Sequence, residues 1–157
     1  MNPPAPESRP RILVVDDDAR TRRLFKETFK KAGWEVEEAV NGSEALIRAR
    51  QVRFDLITLD LVMPGFSGQD VHYLLSRNIG YGERESHGQP RRVPPILIVS
   101  AQFDTVPMEM LYGEGVVGVV GKPVDLNLLV SLVRQHLEQR PTPPQLSAQA
   151  ASPAPVA

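Results

Sequence analysis

The chain has 157 residues, enough for one domain with a proper core and hardly for two. Hydrophobic residues make up 41% and charged ones 24%, and 18 Lys plus Arg against 19 Asp plus Glu leave a net charge of −1. Nothing in that balance favours nucleic acid or an anionic membrane surface, and the lack of cysteine excludes disulfides, thiolate metal sites and cysteine nucleophiles.

The first ten residues, "MNPPAPESRP", have no apolar stretch of signal-peptide type, and no segment reaches transmembrane length, so a cytoplasmic location is expected. Of the 15 prolines, four fall in residues 1–10 and five in "PTPPQLSAQAASPAPVA", residues 141–157. Such tails bury too little apolar surface to offset the entropy of ordering them, so both are expected to be disordered around a folded body of residues 11–140.

"RILVVD" (11–16) reads as a short, fully buried strand. The next segment places Leu24, Phe25, Thr28, Phe29 and Ala32 on one helical face and closes at Gly33. "WEVEEA" (34–39) alternates like an edge strand; Asn41-Gly42 turns the chain, and Ser43 can cap a helix carrying Ala45, Leu46 and Ala49. "FDLITLD" (54–60) is a buried strand broken by Pro64 and Gly65, with a helix over about 68–77. "PILIVS" (95–100) is the fourth strand, followed by a short helix near 105–113, and "GVVGVVGKP" (115–123) is the fifth. Asp125 caps a last helix whose core stripe is Leu126, Leu129, Val130, Val133 and Leu137. Five βα units in succession imply an α/β doubly wound fold, a parallel sheet with helices on both faces.

In such sheets, sites form at the carboxyl ends of the strands. Strand one ends in Asp16-Asp17, strand three in Asp60, strand four in Ser100 and strand five in Lys122. Turns are rich in Asp, Ser and Lys anyway, so one such residue means little; four at the same edge point to a site. Three acids in one pocket cannot all stay ionised unaided. A divalent cation and the Lys122 ammonium would offset them, and an all-oxygen donor set selects the hard ion Mg²⁺. That chemistry suits phosphoryl transfer, which needs positioning and charge neutralisation above all. Asp60 is then the nucleophile that becomes an acyl phosphate. Asp17 holds Mg²⁺ directly, Asp16 through water or by placing it, and the Val62 backbone carbonyl fills a further metal position. Lys122 and the Ser100 hydroxyl clamp phosphoryl oxygens.

"ILVVDDD", "LITLDLVMPGFSG", "IVSAQ" and "GKPV" resemble, in order and spacing, the signature of response-regulator receiver domains of two-component signalling. The resemblance covers about residues 11–138 and implies a flavodoxin-like (βα)5 fold with strand order 2-1-3-4-5. It implies that Asp60 accepts a phosphoryl group from a phosphohistidine on a sensor histidine kinase or histidine phosphotransfer protein, with Mg²⁺ required, and that the Lys122-Pro123 peptide is cis. It further implies a signalling protein that catalyses only its own phosphorylation and dephosphorylation. Its output would be contact with an unknown downstream protein, with a phosphorylation-dependent homodimer among the expected assemblies.

Two features depart from the pattern. Val119 stands three residues before the Lys, where receivers usually carry Tyr or Phe. The segment "RNIGYGERESHGQPRRVP" (77–94) is longer than expected and reads as a solvated loop or, with Tyr81, Arg91 and Arg92, as a docking loop. No helix-turn-helix follows the last helix, so a regulator without a DNA-binding output domain is expected. Arg20, Arg22 and Arg23 read as a solvated helix face, Asp18 as a spare acid at the rim, and His72, His87 and His136 as isolated helix-face or surface residues. Two rivals are a receiver-like interaction module that works without phosphate and a haloacid-dehalogenase-like phosphatase. In the latter, "VVDDDART" would supply Asp16 as nucleophile and Asp18 as acid, leaving Asp60 without a role.

Overall fold

A computed structural model of the chain describes residues 8–77, 93–111, 113 and 115–139. Most of the 77–94 segment, with Tyr81, Arg91 and Arg92, and all but the last few residues of the N-terminal tail lie outside the described residues, as do the C-terminal tail, His87 and Tyr112. The strands are β1 (Arg11–Val15), β2 (Glu35–Ala39), β3 (Leu56–Leu59), β4 (Ile96–Ser100) and β5 (Val116–Gly121). The helices are α1 (Ala19–Lys31), α2 (Gly42–Gln51), α3 (Gly68–Ser76), α4 (Met108–Leu111) and α5 (Leu126–Glu138), with a 3-10 turn at Phe103–Thr105. All five strands pair in parallel in the order β2-β1-β3-β4-β5, the doubly wound arrangement implied by the resemblance.

Strand alternation divides the core into two layers. Ile12, Val14, Leu56, Leu97 and Val99 face α1 and α5, where they meet Phe25, Phe29, Leu129 and Val133. Leu13, Val15, Ile57, Leu59, Ile96 and Ile98 face α2, α3 and α4, where they meet Ala45, Leu46, Val71, Leu75 and Met110. Burying each of these large side chains stabilises the fold by roughly 1.5–3 kcal/mol. The edge strand β2 is acidic because ion pairs hold it from three sides: Arg11 on Glu35, Arg48 on Glu37, and Lys26 with Arg22 on Glu38.

Several local expectations change. Leu24 is exposed, because a helix on one sheet face buries only a narrow stripe, and Phe25, Phe29 and Ala32 fill it. Asn41, rather than Ser43, caps α2: its side chain accepts the Glu44 N–H at 2.8 Å while Glu44 accepts the Val40 N–H at 2.9 Å. The helix expected near 105–113 is a single turn starting at Met108, since Pro107 has no N–H and keeps Val106 out of the helical region. His72 lies on the buried face of α3, its ring against Gly113.

One buried group is poorly served. Thr58 in the central strand β3 is 1% exposed, and its hydroxyl has no hydrogen-bond partner among the described residues. Leaving such a group unsatisfied costs about 1–3 kcal/mol, while valine keeps the shape and suits a strand better. Thr58→Val is therefore expected to raise the urea unfolding midpoint, by about 1 kcal/mol in stability. A midpoint that falls would show the hydroxyl to be partnered.

Candidate functional site

The site begins where the ladders run out. Asp60 still donates its N–H to the Val15 carbonyl (3.0 Å), Asp16 to Ala39 (3.3 Å) and Lys122 to Ser100 (3.0 Å). The strand alternation therefore carries one residue past each strand. Asp16 follows Val14, Asp60 follows Thr58 and Lys122 follows Val120, so all three emerge at the α1/α5 side of the carboxyl edge. For Lys122 this depends on an irregularity. Val116 pairs with Ile96 but Gly118 pairs with Leu97, so β5 carries one extra residue, which reverses its faces and re-aims Lys122.

The side chains converge. Lys122 Nζ lies 2.7 Å from Asp16 Oδ2 and 3.3 Å from Asp60 Oδ2. Carboxylate oxygens of Asp16, Asp17 and Asp60 lie within 4.8 Å of one another, with Asp16 and Asp60 buried and Asp17 exposed. Asp16 Oδ1 accepts the Asp18 N–H at 2.9 Å, and Asp60 Oδ1 accepts the Val62 N–H at 3.2 Å. Ser100 is fully buried at the end of β4, and its hydroxyl accepts the Gln102 N–H at 3.1 Å. The Lys122-Pro123 peptide is cis.

Charge follows from this packing. Burial pushes the Asp60 carboxyl above its ordinary value; the Val62 N–H opposes this, Asp16 adds to it and Lys122 opposes it. Burial works against the Lys122 ammonium, but Asp16 and Asp60 outweigh it and hold it above its ordinary value. Three acids against one lysine leave the pocket over-acidic by two charges. An oxygen-only donor set with that surplus fits a hard divalent cation.

Three contributors escaped the sequence reading. Asp18 is no spare acid: it caps α1, accepting the N–H groups of Arg20 (3.2 Å) and Thr21 (3.3 Å) and the Thr21 hydroxyl (2.7 Å). Its pKa is lowered, chiefly by that hydroxyl. That engagement takes Asp18 away from the acid role the phosphatase rival requires. Gly68 starts α3 so close to β3 that an added Cβ would strike the Asp60 carbonyl. Arg22 is turned inward on the backbone of the acidic corner, where the sequence suggested a solvated face. The capping signal of Asp18 ahead of a helix was legible; those of Gly68 and Arg22 were not.

A doubly wound parallel sheet with a lysine-bridged acidic pocket at its carboxyl edge is the arrangement that the receiver resemblance implies. Comparison with known proteins agrees: the family description "Response regulator receiver domain" matches residues 12–134, and the chain belongs to that family. It is 32% identical over 136 residues to the DNA-binding response regulator MtrA of Mycolicibacterium paratuberculosis, covering 87% of this chain and 55% of that one. It is 30% identical over 131 residues to hybrid signal transduction histidine kinase F of Dictyostelium discoideum, covering 83% of this chain and 11% of the kinase. The chain thus spans about half the length of MtrA, or less of the kinase. The crystal structure of response regulator TrrA from Thermotoga maritima in complex with Mg²⁺-BeF superposes with a TM-score of 0.66 at 28% identity, covering 81% of this chain and 98% of that one.

Proposed function

We propose that this receiver accepts a phosphoryl group on Asp60 from the phosphohistidine of a sensor histidine kinase or histidine phosphotransfer protein, in a Mg²⁺-dependent reaction. The observation that carries this reading is the clustering of the Asp16, Asp17 and Asp60 carboxylates, with Lys122 paired to Asp16 and Asp60. The Asp60 carboxylate oxygen attacks phosphorus; the phosphorus–nitrogen bond breaks, and the departing imidazole keeps the electron pair and takes a proton from solvent. Lys122 favours the ionised Asp60 that this attack requires and then faces the new phosphoryl charge. Asp17 would hold the ion directly, Asp16 would place it, and the Val62 carbonyl would complete the protein ligands; the bound ion supplies charge neutralisation. The TrrA complex with Mg²⁺-BeF supports that choice of metal, and the likeness to a hybrid histidine kinase supports the choice of donor.

In this reading the chain is no enzyme in its own right, since it turns over only its own phosphate. The Ser100 hydroxyl moves toward the phosphoryl group, and the signal leaves by protein contact, through a downstream protein or a phosphorylation-dependent homodimer, without DNA binding. The match to MtrA spans 55% of that regulator, so its DNA binding is not carried over. Val119 packs among the α2/α3/α4-side core residues, so the output route does without an aromatic there. The reading is a cytoplasmic one, and no helix among the described residues is long and apolar enough to cross a membrane.

Intact-mass measurement with acetyl phosphate tests the proposal. One phosphoryl group is expected with Mg²⁺ and none without it. A folded protein that stays unlabelled across a reasonable pH range would instead favour an interaction module independent of phosphate.

A further inference from the structure

The basic residues near the start of α1 are not equivalent. Arg20 and Arg23 are exposed, whereas the Arg22 side chain is only 14% exposed. Its Nη1 donates to the main-chain carbonyls of Asp16 (2.9 Å) and Asp17 (3.1 Å). Its Nε lies 3.6 Å from Glu38 Oε1 in β2, and Glu38 is held in turn by Lys26 Nζ at 2.7 Å. One guanidinium thus ties together the β1–α1 corner, α1 and β2, using the rigid fork that only arginine offers.

The two acids at that corner depend on it unequally. The Asp16 carboxylate is held at both oxygens, by the Asp18 N–H and by Lys122. The Asp17 carboxylate takes no hydrogen bond from any described residue, so its backbone is the part of it that the structure anchors. That backbone is what Arg22 grips. We propose that Arg22 is a positioning residue for the metal site: by clamping the Asp16 and Asp17 carbonyls against Glu38, it presets the direction of the Asp17 carboxylate toward Mg²⁺. The inference rests on the reading of this pocket as a Mg²⁺-dependent phosphoryl acceptor.

The sign of the effect separates positioning from charge. A cation beside an acidic pocket repels Mg²⁺, so removing Arg22 would tighten metal binding if its charge were all that mattered. Loss of a clamp behind metal ligands does the opposite, typically by tenfold or more. Calorimetric titration of the full chain with MgCl₂ reads this directly. Arg22→Met is expected to bind Mg²⁺ about tenfold more weakly than the parent. Arg22→Lys keeps the charge but replaces the fork with one ammonium, and it should recover only part of the loss. A folded Arg22→Met that binds Mg²⁺ as tightly as the parent, or more tightly, overturns the proposal.

If circular dichroism shows Arg22→Met unfolded, Arg22→Lys and Glu38→Gln decide. Each weakens the clamp without removing it, so each is expected to bind about two- to threefold more weakly, short of the roughly tenfold that complete loss of an outer contact costs. Unchanged affinity in both would overturn the proposal. The parent is also tested for Mg²⁺ binding and for phosphate uptake from acetyl phosphate. A parent lacking both sinks the phosphoryl-acceptor reading and this inference with it. A parent showing both, beside an unaffected Arg22→Met, sinks only the positioning role.

Discussion

Asp60→Asn is expected to take up no phosphate from acetyl phosphate and, near neutral pH without Mg²⁺, to be more stable than the parent. Loss of the acceptor oxygen accounts for the first result. The second follows from what surrounds Asp60, which is 5% exposed. Burial raises its pKa first, and of its neighbours Asp16 raises it further while the Val62 N–H and Lys122 lower it, with a net rise. A carboxyl raised in the folded state holds its proton more tightly there than when unfolded. The stability linked to that proton is complete below the ordinary carboxylate value. It is lost as pH rises through the raised value of Asp60. Asparagine keeps an oxygen for the Val62 N–H and carries no charge, so it escapes the loss. The variant should therefore melt at a higher temperature than the parent at pH 7, each 1 kcal/mol gained being worth about 4 °C in a domain of this size. Melts across a pH series should show the two proteins converging at acid pH and separating as Asp60 ionises. Mg²⁺ should narrow the gap by stabilising the parent more. A less stable Asp60→Asn at pH 7 would mean that the attraction of Asp60 to Lys122 outweighs its burial.

Most of this site was legible because strand ends are. The apolar runs that stop on Asp16, Asp60, Ser100 and Lys122 needed only a parallel sheet to become neighbours, and βα alternation supplied one. Contacts that depend on side-chain direction within a surface element were hidden. Arg22 and Arg23 are adjacent in sequence, yet one grips two carbonyls while the other pairs with Glu27 in solvent at 3.1 Å. Leu24 fails as a core residue for the same reason: its place on the helix decides its burial, not its hydrophobicity. The extra residue in β5 was equally hidden, because "VVGVVG" has the same apolar content in either register. It nevertheless decides on which face Lys122 emerges.

Lys122→Met tests how far one ammonium holds the site together. The Lys122 side chain is 22% exposed, whereas those of its partners Asp16 and Asp60 are 3% and 7% exposed. Removing one member of a buried ion pair costs about 3–5 kcal/mol, because the remaining charge is stranded. Here the partial exposure of the lysine reduces the expected loss to about 2–3 kcal/mol in a urea titration without Mg²⁺. Mg²⁺ should restore more stability to the variant than to the parent, since it takes over the counter-charge that Lys122 supplied to Asp16 and Asp60. Phosphate uptake should respond differently. Removing one preorganised electrostatic contact to a transferring group usually costs about 10²–10³ in rate, and a bound ion does not replace the missing contact. A variant that Mg²⁺ restabilises but that still labels at least a hundredfold more slowly would therefore assign Lys122 both tasks, neutralising the resting acids and facing the phosphoryl group. Labelling within about threefold of the parent would leave it only the first, because the contact would then be worth less than about 1 kcal/mol in the transition state.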